Sequence, residues 1–406
     1  MEKVLWILKK IMPRSAFKFF QPAYHYILAL IGAVYYGFPS RKMKVIAVTG
    51  TSGKTTLVEM LHAIFSEARY KTASLSGLRF KIQNRAEPNL LKMTMPGRFR
   101  VQKFLADARN AGCDYVFLET TSEGIKQFRH KFIKFYAAVL NNLSKEHLEA
   151  HGGFENYRDS KAKIFYLAPI HVLNAEDQYF DFFNKLPSLD KVFFHPSRFP
   201  DSIKLKLLGD FNKANAMAAL AFARHEKISD ETSKSALEKI ITLPGRMEYI
   251  NPPEGVNPKF KVLVDYAFLP QTLETLYEYT RRESPSLVCV LGAAGGGRDK
   301  WKRSVLGDIA AKYCRKIYVT NEDPYDEDPN EIIEQVSRSH NFEKILDRRV
   351  AIREALKSAA ENETVVITGK GSEPWIMGPH GTKTPWDDRR VAREELENLF
   401  NSSRLD

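Results

Sequence analysis

The chain has 406 residues, 44% hydrophobic and 27% charged. That composition fits a globular protein of two or three domains and excludes both wholesale disorder and a coiled-coil fibre. No apolar run reaches the ~20 residues of a bilayer span, which excludes a polytopic membrane protein. The net charge is +12, but residues 1–44 hold eight Lys/Arg and one acid and carry +7 of it. The excess is local, which argues against a nucleic-acid-binding face.

In chain order, Val4–Met12 is apolar with interleaved lysines, and Pro13 and Pro22 are expected to break it. Ala23–Phe38 is uncharged, rich in Tyr, Ile, Leu and Ala, and ends at Gly37-Phe38-Pro39 before Arg41-Lys42. As a helix this stretch reaches about 24 Å, short of a ~30 Å hydrocarbon core. Two readings stand: helices packed on the following domain, or an interfacial anchor with basic residues toward anionic lipid. No small-residue cleavage site follows, which argues against a signal peptide.

From Lys44 the pattern is strand–helix alternation. Val45–Val48 leads through a Gly-rich turn into a helix over Leu57–Ala68. Tyr115–Leu118, Ala137–Leu140 and His171–Leu173 are further apolar runs, each ending in polar residues, as in a parallel sheet with its working residues at the strand C-termini. A helix over Asn212–Ala223 precedes Leu243-Pro244-Gly245, the expected hinge to a second alternating unit. That unit carries strands at Val262–Val264, Leu287–Leu291, Ile317–Val319 and Val365–Ile367. The expected architecture is α/β: an N-terminal helical segment over 1–44, a central P-loop ATPase-type parallel-sheet domain over 45–244, and a C-terminal Rossmann-like domain over 245–406. Cys113, Cys289 and Cys314 form no CxxC pair and are expected to be reduced, buried thiols of a cytoplasmic protein.

The strongest local signal is Thr49-Gly50-Thr51-Ser52-Gly53-Lys54-Thr55-Thr56, between a strand and a helix. Glycines let backbone N–H groups approach phosphate, Lys54 offsets outer phosphate charge, and the Thr55 hydroxyl suits Mg²⁺. Position 48 is Val where the full Walker pattern has Gly. Glu119 at a strand end and His147 after Asn141-Asn142 are a carboxylate and an imidazole suited to Mg²⁺, which takes few protein ligands.

Nine segments in one order carry a resemblance: TGTSGKTT, LETTSEG, NNLSKEHLEAHGGFENYRDSKAKIF, LLGDFNKANAMAALA, LPGRME, VDYAFLP, GGGRDKWKR, NEDPYDEDP and TGKGSEPW. The chain resembles the Mur ligase family from about Lys44 to Arg393, and within it the branch that adds the third residue to UDP-N-acetylmuramoyl-dipeptide. The resemblance implies an ATP-dependent, ADP-forming amide ligase with two Mg²⁺ sites. It implies Lys54 on the phosphates, Thr55 and Glu119 on one metal, His147 on the second, and a carbamylated Lys161 between them. Gly50–Thr56, Asn142, Asn215, Arg246 and Asp265 are then the nucleotide contacts. Thr94, Thr121, Ser122, Arg298, Glu322, Asp323, Tyr325, Gly369 and Glu373 are the expected substrate contacts. The implied partners are a muramoyl-peptide acceptor and an amino acid, with no nucleic acid; the expected form is a cytoplasmic monomer with peripheral membrane contact through residues 1–44.

Departures from the family pattern shape the expectation. Its Asp-Asn-Pro-Arg is Glu322-Asp323-Pro324-Tyr325 here, and its Asp-His is Glu146-His147. Asp265-Tyr266-Ala267-Phe268 ends in Phe, not His, and Gly371-Ser372-Glu373 has Ser for His. Without a guanidinium at 325, and with carboxylates at 322, 323 and 373, the amino acid is expected to be L-lysine or another diamino acid lacking a distal carboxylate. The 44 residues before the first strand are too few for the family's uridine-binding domain, so a lipid-linked or otherwise altered acceptor is expected. Two rivals stand: a folylpolyglutamate-synthase-like ligase, and a P-loop ATPase scaffold without ligase activity.

Overall fold

The computed structural model describes residues 14–402. The chain divides into two units. The first runs to Ser144 and adds Glu155–Ile203 and Lys213–Leu237; the second comprises Lys145–Phe154, Lys204–Asn212 and Glu238 onward.

The first unit opens with helix α1, Arg14–Tyr35, which continues through Pro22. The expected break does not occur. An interior proline removes one i→i−4 bond, and packing beyond it compensates. Ala29 and Ala33 are fully buried, and Gly32 lets the backbone approach Phe99, whose Cα lies 3.5 Å from where a Cβ would stand. Arg109 Nη1 donates to the Tyr36 carbonyl at 3.0 Å. Among the described residues no helix is long and apolar enough to cross a membrane.

An eight-stranded sheet follows, in the order β4-β3-β2-β5-β1-β6-β7-β8. Its strands are β1 Lys44–Thr49, β2 Thr72–Leu75, β3 Arg79–Ile82, β4 Arg85–Pro88, β5 Tyr115–Glu119, β6 Phe135–Leu140, β7 Ile170–Asn174 and β8 Asp190–Phe194. All pairs are parallel except β2/β3 and β3/β4. Val45–Val48 are wholly buried, as expected of central parallel strands covered on both faces. Val48 pairs with Glu119 and Thr49 with Leu140, so the C-terminal tips of β1, β5 and β6 are level. Helices α2 (Lys54–Glu67), α3 (Arg98–Asn110), α4 (Ser122–Lys126) and α5 (Phe154–Phe165) connect the strands, and α6 (Asp210–His225) follows them.

The second unit has a six-stranded sheet, β13-β12-β11-β14-β10-β9. The strands are β9 Glu248–Tyr249, β10 Lys261–Asp265, β11 Leu287–Leu291, β12 Lys316–Val319, β13 Glu343–Lys344 and β14 Thr364–Thr368, with only β9 antiparallel. Alternate residues feed two cores: Leu263, Cys289 and Val366 on one face, Val262, Val264, Val288 and Val365 on the other. Cys289 and Cys314 form a disulfide with Cα atoms 6.1 Å apart. This corrects the expectation of reduced thiols for that pair. A spacing of 25 carries no pairing signal, yet the crossover returns Cys314 to the sheet two residues before β12 begins, inside the same core. Cys113 is free and buried.

Candidate active site

In the first unit the phosphate-type loop is held from two sides. Gly50 (φ 155°) and Gly53 (φ 73°) occupy backbone conformations that favour glycine. A Cβ on Gly53 would lie 2.3 Å from Asn215 Oδ1 and 2.6 Å from Asn141 Nδ2. Asn142 Oδ1 accepts from the Thr51 and Ser52 amides at 3.1 and 3.0 Å. Asn141 Nδ2 donates to the Ser52 carbonyl (3.2 Å) and to Asn215 Oδ1 (2.7 Å). Thr51 Oγ1 meets Tyr157 Oη at 3.1 Å, and accepts from the Ser144 amide at 2.9 Å. The loop is therefore shaped before any ligand arrives. Asn142 and Asn215, named from sequence, and Asn141 and Tyr157, which were not, hold it.

Lys54 Nζ folds back onto the carbonyls of Gly50 (3.1 Å) and Thr51 (2.8 Å). Lys161, on α5, is 2% exposed, and its Nζ donates to the same Gly50 carbonyl at 2.7 Å. It also lies 4.8 Å from the centre of the Tyr157 ring. Glu119, buried at the tip of β5, accepts through Oε2 from Thr55 Oγ1 (2.9 Å) and the Gly77 amide (2.8 Å). Thr56 is buried in the first turn of α2. Thr94 Oγ1 would lie 3.2 Å from a Cβ on Gly77, which puts it beside Glu119's partner. Thr121 caps α4 by accepting from the Gly124 amide at 3.1 Å, and buried Ser122 offers its carbonyl to Ser160 Oγ at 3.2 Å. A hydroxyl beside a carboxylate is a hard-oxygen donor pair that fits Mg²⁺. Among the described residues no group of three His, Cys, Asp or Glu could hold a metal.

His147 lies in Lys145–Phe154, a segment of the second unit. It has φ 55°, and its Nε2 is 3.1 Å from Glu146 Oε1. Asp299 fixes the segment by accepting from the Leu148 and Glu149 amides at 3.1 and 3.0 Å.

Elsewhere in that unit, Asp265 Oδ2 accepts from the Met247 amide at 2.7 Å. Burial pushes the Asp265 carboxyl up and Arg246 opposes that. The Arg246 guanidinium stacks 4.4 Å from the Tyr266 ring centre. Asp323 and Glu373, expected to meet an ammonium, are already joined by buried Lys370, whose Nζ donates to Asp323 Oδ1 (2.8 Å) and Glu373 Oε2 (2.7 Å). Tyr266 Oη also donates to Glu373, at 2.7 Å. Glu322 differs: its Oε2 is buried without a hydrogen-bond partner. A Cβ on Gly369 would lie 2.3 Å from that oxygen, so glycine makes the room. Burial and Asp323 push the Glu322 carboxyl up, against Lys370, Arg348 and Lys302. Burial pushes the Tyr325 hydroxyl up, and the Arg298 charge opposes that. Lys302, missed from sequence, is buried with Nζ 4.8 Å from the Phe268 ring centre. Burial lowers its pKa, while Glu146, Glu322 and Asp299 raise it. Its only sequence signal is the Lys-Arg pair closing GGGRDKWKR.

The family model for the Mur ligase middle domain matches residues 48–195, and that for the Mur ligase glutamate ligase domain matches residues 245–371. The chain is 33% identical to a UDP-N-acetylmuramoyl-L-alanyl-D-glutamate–2,6-diaminopimelate ligase of Syntrophomonas wolfei, over 91% of this chain and 81% of that one. It is 32% identical to a UDP-N-acetylmuramyl-tripeptide synthetase of a Roseiflexus species, over 92% and 82%. A solved 2,6-diaminopimelate ligase of the same kind superposes with a TM-score of 0.59 at 26% identity, over 92% and 83%. Mycobacterium tuberculosis folylpolyglutamate synthase, solved with ADP and AMPPCP, gives 0.69 at 18% identity over 84% and 92%, a likeness of fold alone.

Proposed function

Since the chain belongs to the Mur ligase family, and is thereby an ATP-dependent, ADP-forming acid–amino-acid ligase, we propose that it joins a diamino acid to the peptide of a muramoyl-peptide acceptor. The observation that carries the reading is the loop of Gly50–Thr56, shaped by Asn141, Asn142 and Asn215 beside Glu119 and Lys161.

A carboxylate does not react with an amine at neutral pH because oxide is its leaving group. An acceptor carboxylate oxygen attacks the γ-phosphorus, the bond to the β-phosphate oxygen breaks, and ADP leaves. The amine then attacks the acyl phosphate, loses a proton, and displaces phosphate. Loop amides and Lys54 are the groups that cradle the phosphates. Thr55 and Glu119 would hold one Mg²⁺ and His147 would serve a second; bound Mg²⁺ supplies charge neutralisation as the two anions meet. Arg246 and Asp265 would supply further nucleotide contacts, as the family resemblance implies. Lys54 and Lys161 both donate to the Gly50 carbonyl, so two ammoniums crowd one oxygen. Carbamylation of Lys161 replaces that repulsion with attraction. Thr94, Thr121 and Ser122 line the acceptor's side.

For the amino acid, Glu322 is the carboxylate that takes the side-chain ammonium, because Lys370 already engages Asp323 and Glu373. Gly369 leaves room at Glu322 Oε2, and Arg298 and Tyr325 are further candidate contacts of the amino acid. Tyr325 offers no fork for a distal carboxylate, which favours L-lysine or L-ornithine over diaminopimelate. The test is ADP release with a muramoyl-dipeptide acceptor and single amino acids, with products identified by mass. Release that needs both acceptor and lysine supports the reading; turnover with diaminopimelate far above lysine rejects the specificity, and ATP hydrolysis indifferent to both substrates rejects the ligase.

Helix α1 presents Tyr26, Ile27, Ile31, Val34 and Tyr35 to solvent, followed by Arg41 and Lys42, which suits peripheral contact with an anionic inner-face membrane. Co-sedimentation with phosphatidylglycerol vesicles, lost on deleting residues 1–40, checks this; equal partition of the two proteins contradicts it.

A further inference from the structure

One end of the first unit's sheet carries a surface that the ligase chemistry does not use. β8 is the last strand there. In parallel pairing, successive residues turn their backbone groups toward the neighbouring strand and away from it in turn. The Asp190 amide donates to the Pro169 carbonyl at 3.1 Å, and the Phe194 carbonyl accepts from the Ala175 amide at 2.9 Å. The even-numbered residues of β8 therefore face β7, and the amides and carbonyls of Lys191 and Phe193 face outward. Among the described residues nothing pairs with the outward groups of Phe193. Phe193 is 46% exposed and Leu189 is 89% exposed, so this edge is open to solvent. An open edge with free N–H and C=O groups is a template for one more strand.

Beside the edge, β8 and α6 form a groove of about 540 Å³ with Val192, Phe194, Met217 and Ala221 as its apolar floor. On the opposite face of β8 the Phe193 ring meets Phe180 edge-on, with 5.3 Å between ring centres. A strand laid along β8 thus finds apolar surface on both faces: alternate side chains enter the groove and the others lie against Phe193. The charges choose among guests. Asp190, the acid lining the groove, is held by His225 Nε2 at 3.0 Å. Arg224 is forked onto Asp230 at 2.7 and 2.9 Å, and Glu176 is engaged by the Ser197 amide and hydroxyl. Lys191 donates to the Asn184 carbonyl. Among the described residues neither Lys191 nor Arg198, both lining the groove, meets a carboxylate. Two cations are left for a guest acid. The same pair disfavours a second copy, because two such edges joined side by side would gather Lys191 and Arg198 of both chains at one seam.

We propose that β8 and its groove dock an extended, acidic segment of another protein. The segment adds to the sheet through the outward groups of Lys191 and Phe193, places an apolar side chain over Val192 and Met217, and sets a carboxylate against Arg198 and Lys191. The proposal does not rest on the ligase reading.

The test selects binders to the full chain from a display library of random peptides, then measures the enriched peptides, made synthetically, by fluorescence anisotropy. The proposal expects them to alternate apolar and acidic residues. Arg198→Glu should weaken their binding about 10- to 100-fold, the worth of a charged hydrogen bond. Phe193→Pro removes the outward amide, a change that sheet edges tolerate, and should abolish binding. Unchanged urea midpoints in both variants check folding, and Arg198→Glu, a change on the surface rim, keeps the test open if the proline variant fails to fold. Enriched peptides that lack acids, or that bind either folded variant as they bind wild type, overturn the proposal, as does failure to enrich any peptide. A dimer in sedimentation equilibrium that Phe193→Pro dissociates assigns the edge to a second copy and overturns it too. Peptide binding needs no turnover, so its outcome is independent of whether the ligase reading holds.

Discussion

Replacing Glu119 with Gln separates charge from shape at the centre of the site. Glu119 is 3% exposed, and its Oε2 accepts from Thr55 Oγ1 at 2.9 Å and the Gly77 amide at 2.8 Å. Glutamine is isosteric, so its carbonyl oxygen can keep both bonds. Each bond changes from charge-assisted to neutral, a loss of about 1 kcal/mol apiece. Against that, a buried carboxylate no longer has to be desolvated, a relief of about the same few kcal/mol. Global stability in the absence of ligand should therefore move by about 1 kcal/mol or less, readable as an unchanged urea midpoint. Activity should not be spared. An amide is a far weaker ligand for Mg²⁺ than a carboxylate, and a 10²–10³-fold fall in turnover corresponds to about 2.7–4 kcal/mol of lost transition-state stabilisation. The assay is steady-state ADP release over a Mg²⁺ titration, with the midpoint of Mg²⁺ activation moved upward in the variant. Wild-type turnover and an unmoved Mg²⁺ midpoint in Glu119→Gln would refute the assignment of this carboxylate.

Three further outcomes follow from particular contacts. Gly53→Ala forces a left-handed φ on alanine, about 1–2 kcal/mol, and drives its Cβ into Asn215 and Asn141; ATP affinity by calorimetry should fall tenfold or more, and an unaltered affinity counts against the loop. Arg348 is paired to Asp388 through two buried bonds of 2.8 and 2.7 Å, so Arg348→Met strands a buried carboxylate and should cost about 3–5 kcal/mol in urea unfolding; a loss under about 1 kcal/mol contradicts that. Glu322 has a folded-state pKa above its unfolded value, so its contribution is favourable at acid pH and is lost as pH rises through the folded pKa. Glu322→Gln should therefore gain melting temperature over wild type from pH 4 to pH 8, and a difference independent of pH would remove the argument.

Much of this was legible because strand-end chemistry is written locally. The apolar run before Thr49-Gly50 and the Gly-Lys-Thr-Thr after it specify a strand, a tight turn and a helix start within a dozen residues. What escaped depends on long-range return of the chain. Asn141 is an ordinary polar residue until α6 brings Asn215 to it at 2.7 Å. Cys289 and Cys314 show no spacing motif, and only the crossover between β11 and β12 joins them. Asp323 and Glu373 read as free acids because nothing local reveals that Lys370 lies between them. Pro22 misled in the opposite sense: a residue-level rule was overridden by the packing of Ala29, Gly32 and Ala33.

The central claim is that triphosphate and divalent cation gather at the tips of β1 and β5. Diffraction from crystals grown with AMPPNP and Mn²⁺, with data recorded at an energy where manganese scatters anomalously, tests it directly. The account predicts an anomalous peak at about 2.0–2.3 Å from Thr55 Oγ1, in contact with Glu119 or bridged to it by one water, with Lys54 Nζ moved from the Gly50 carbonyl onto the phosphates. Nucleotide bound elsewhere, or manganese found away from Thr55 and Glu119, would contradict it.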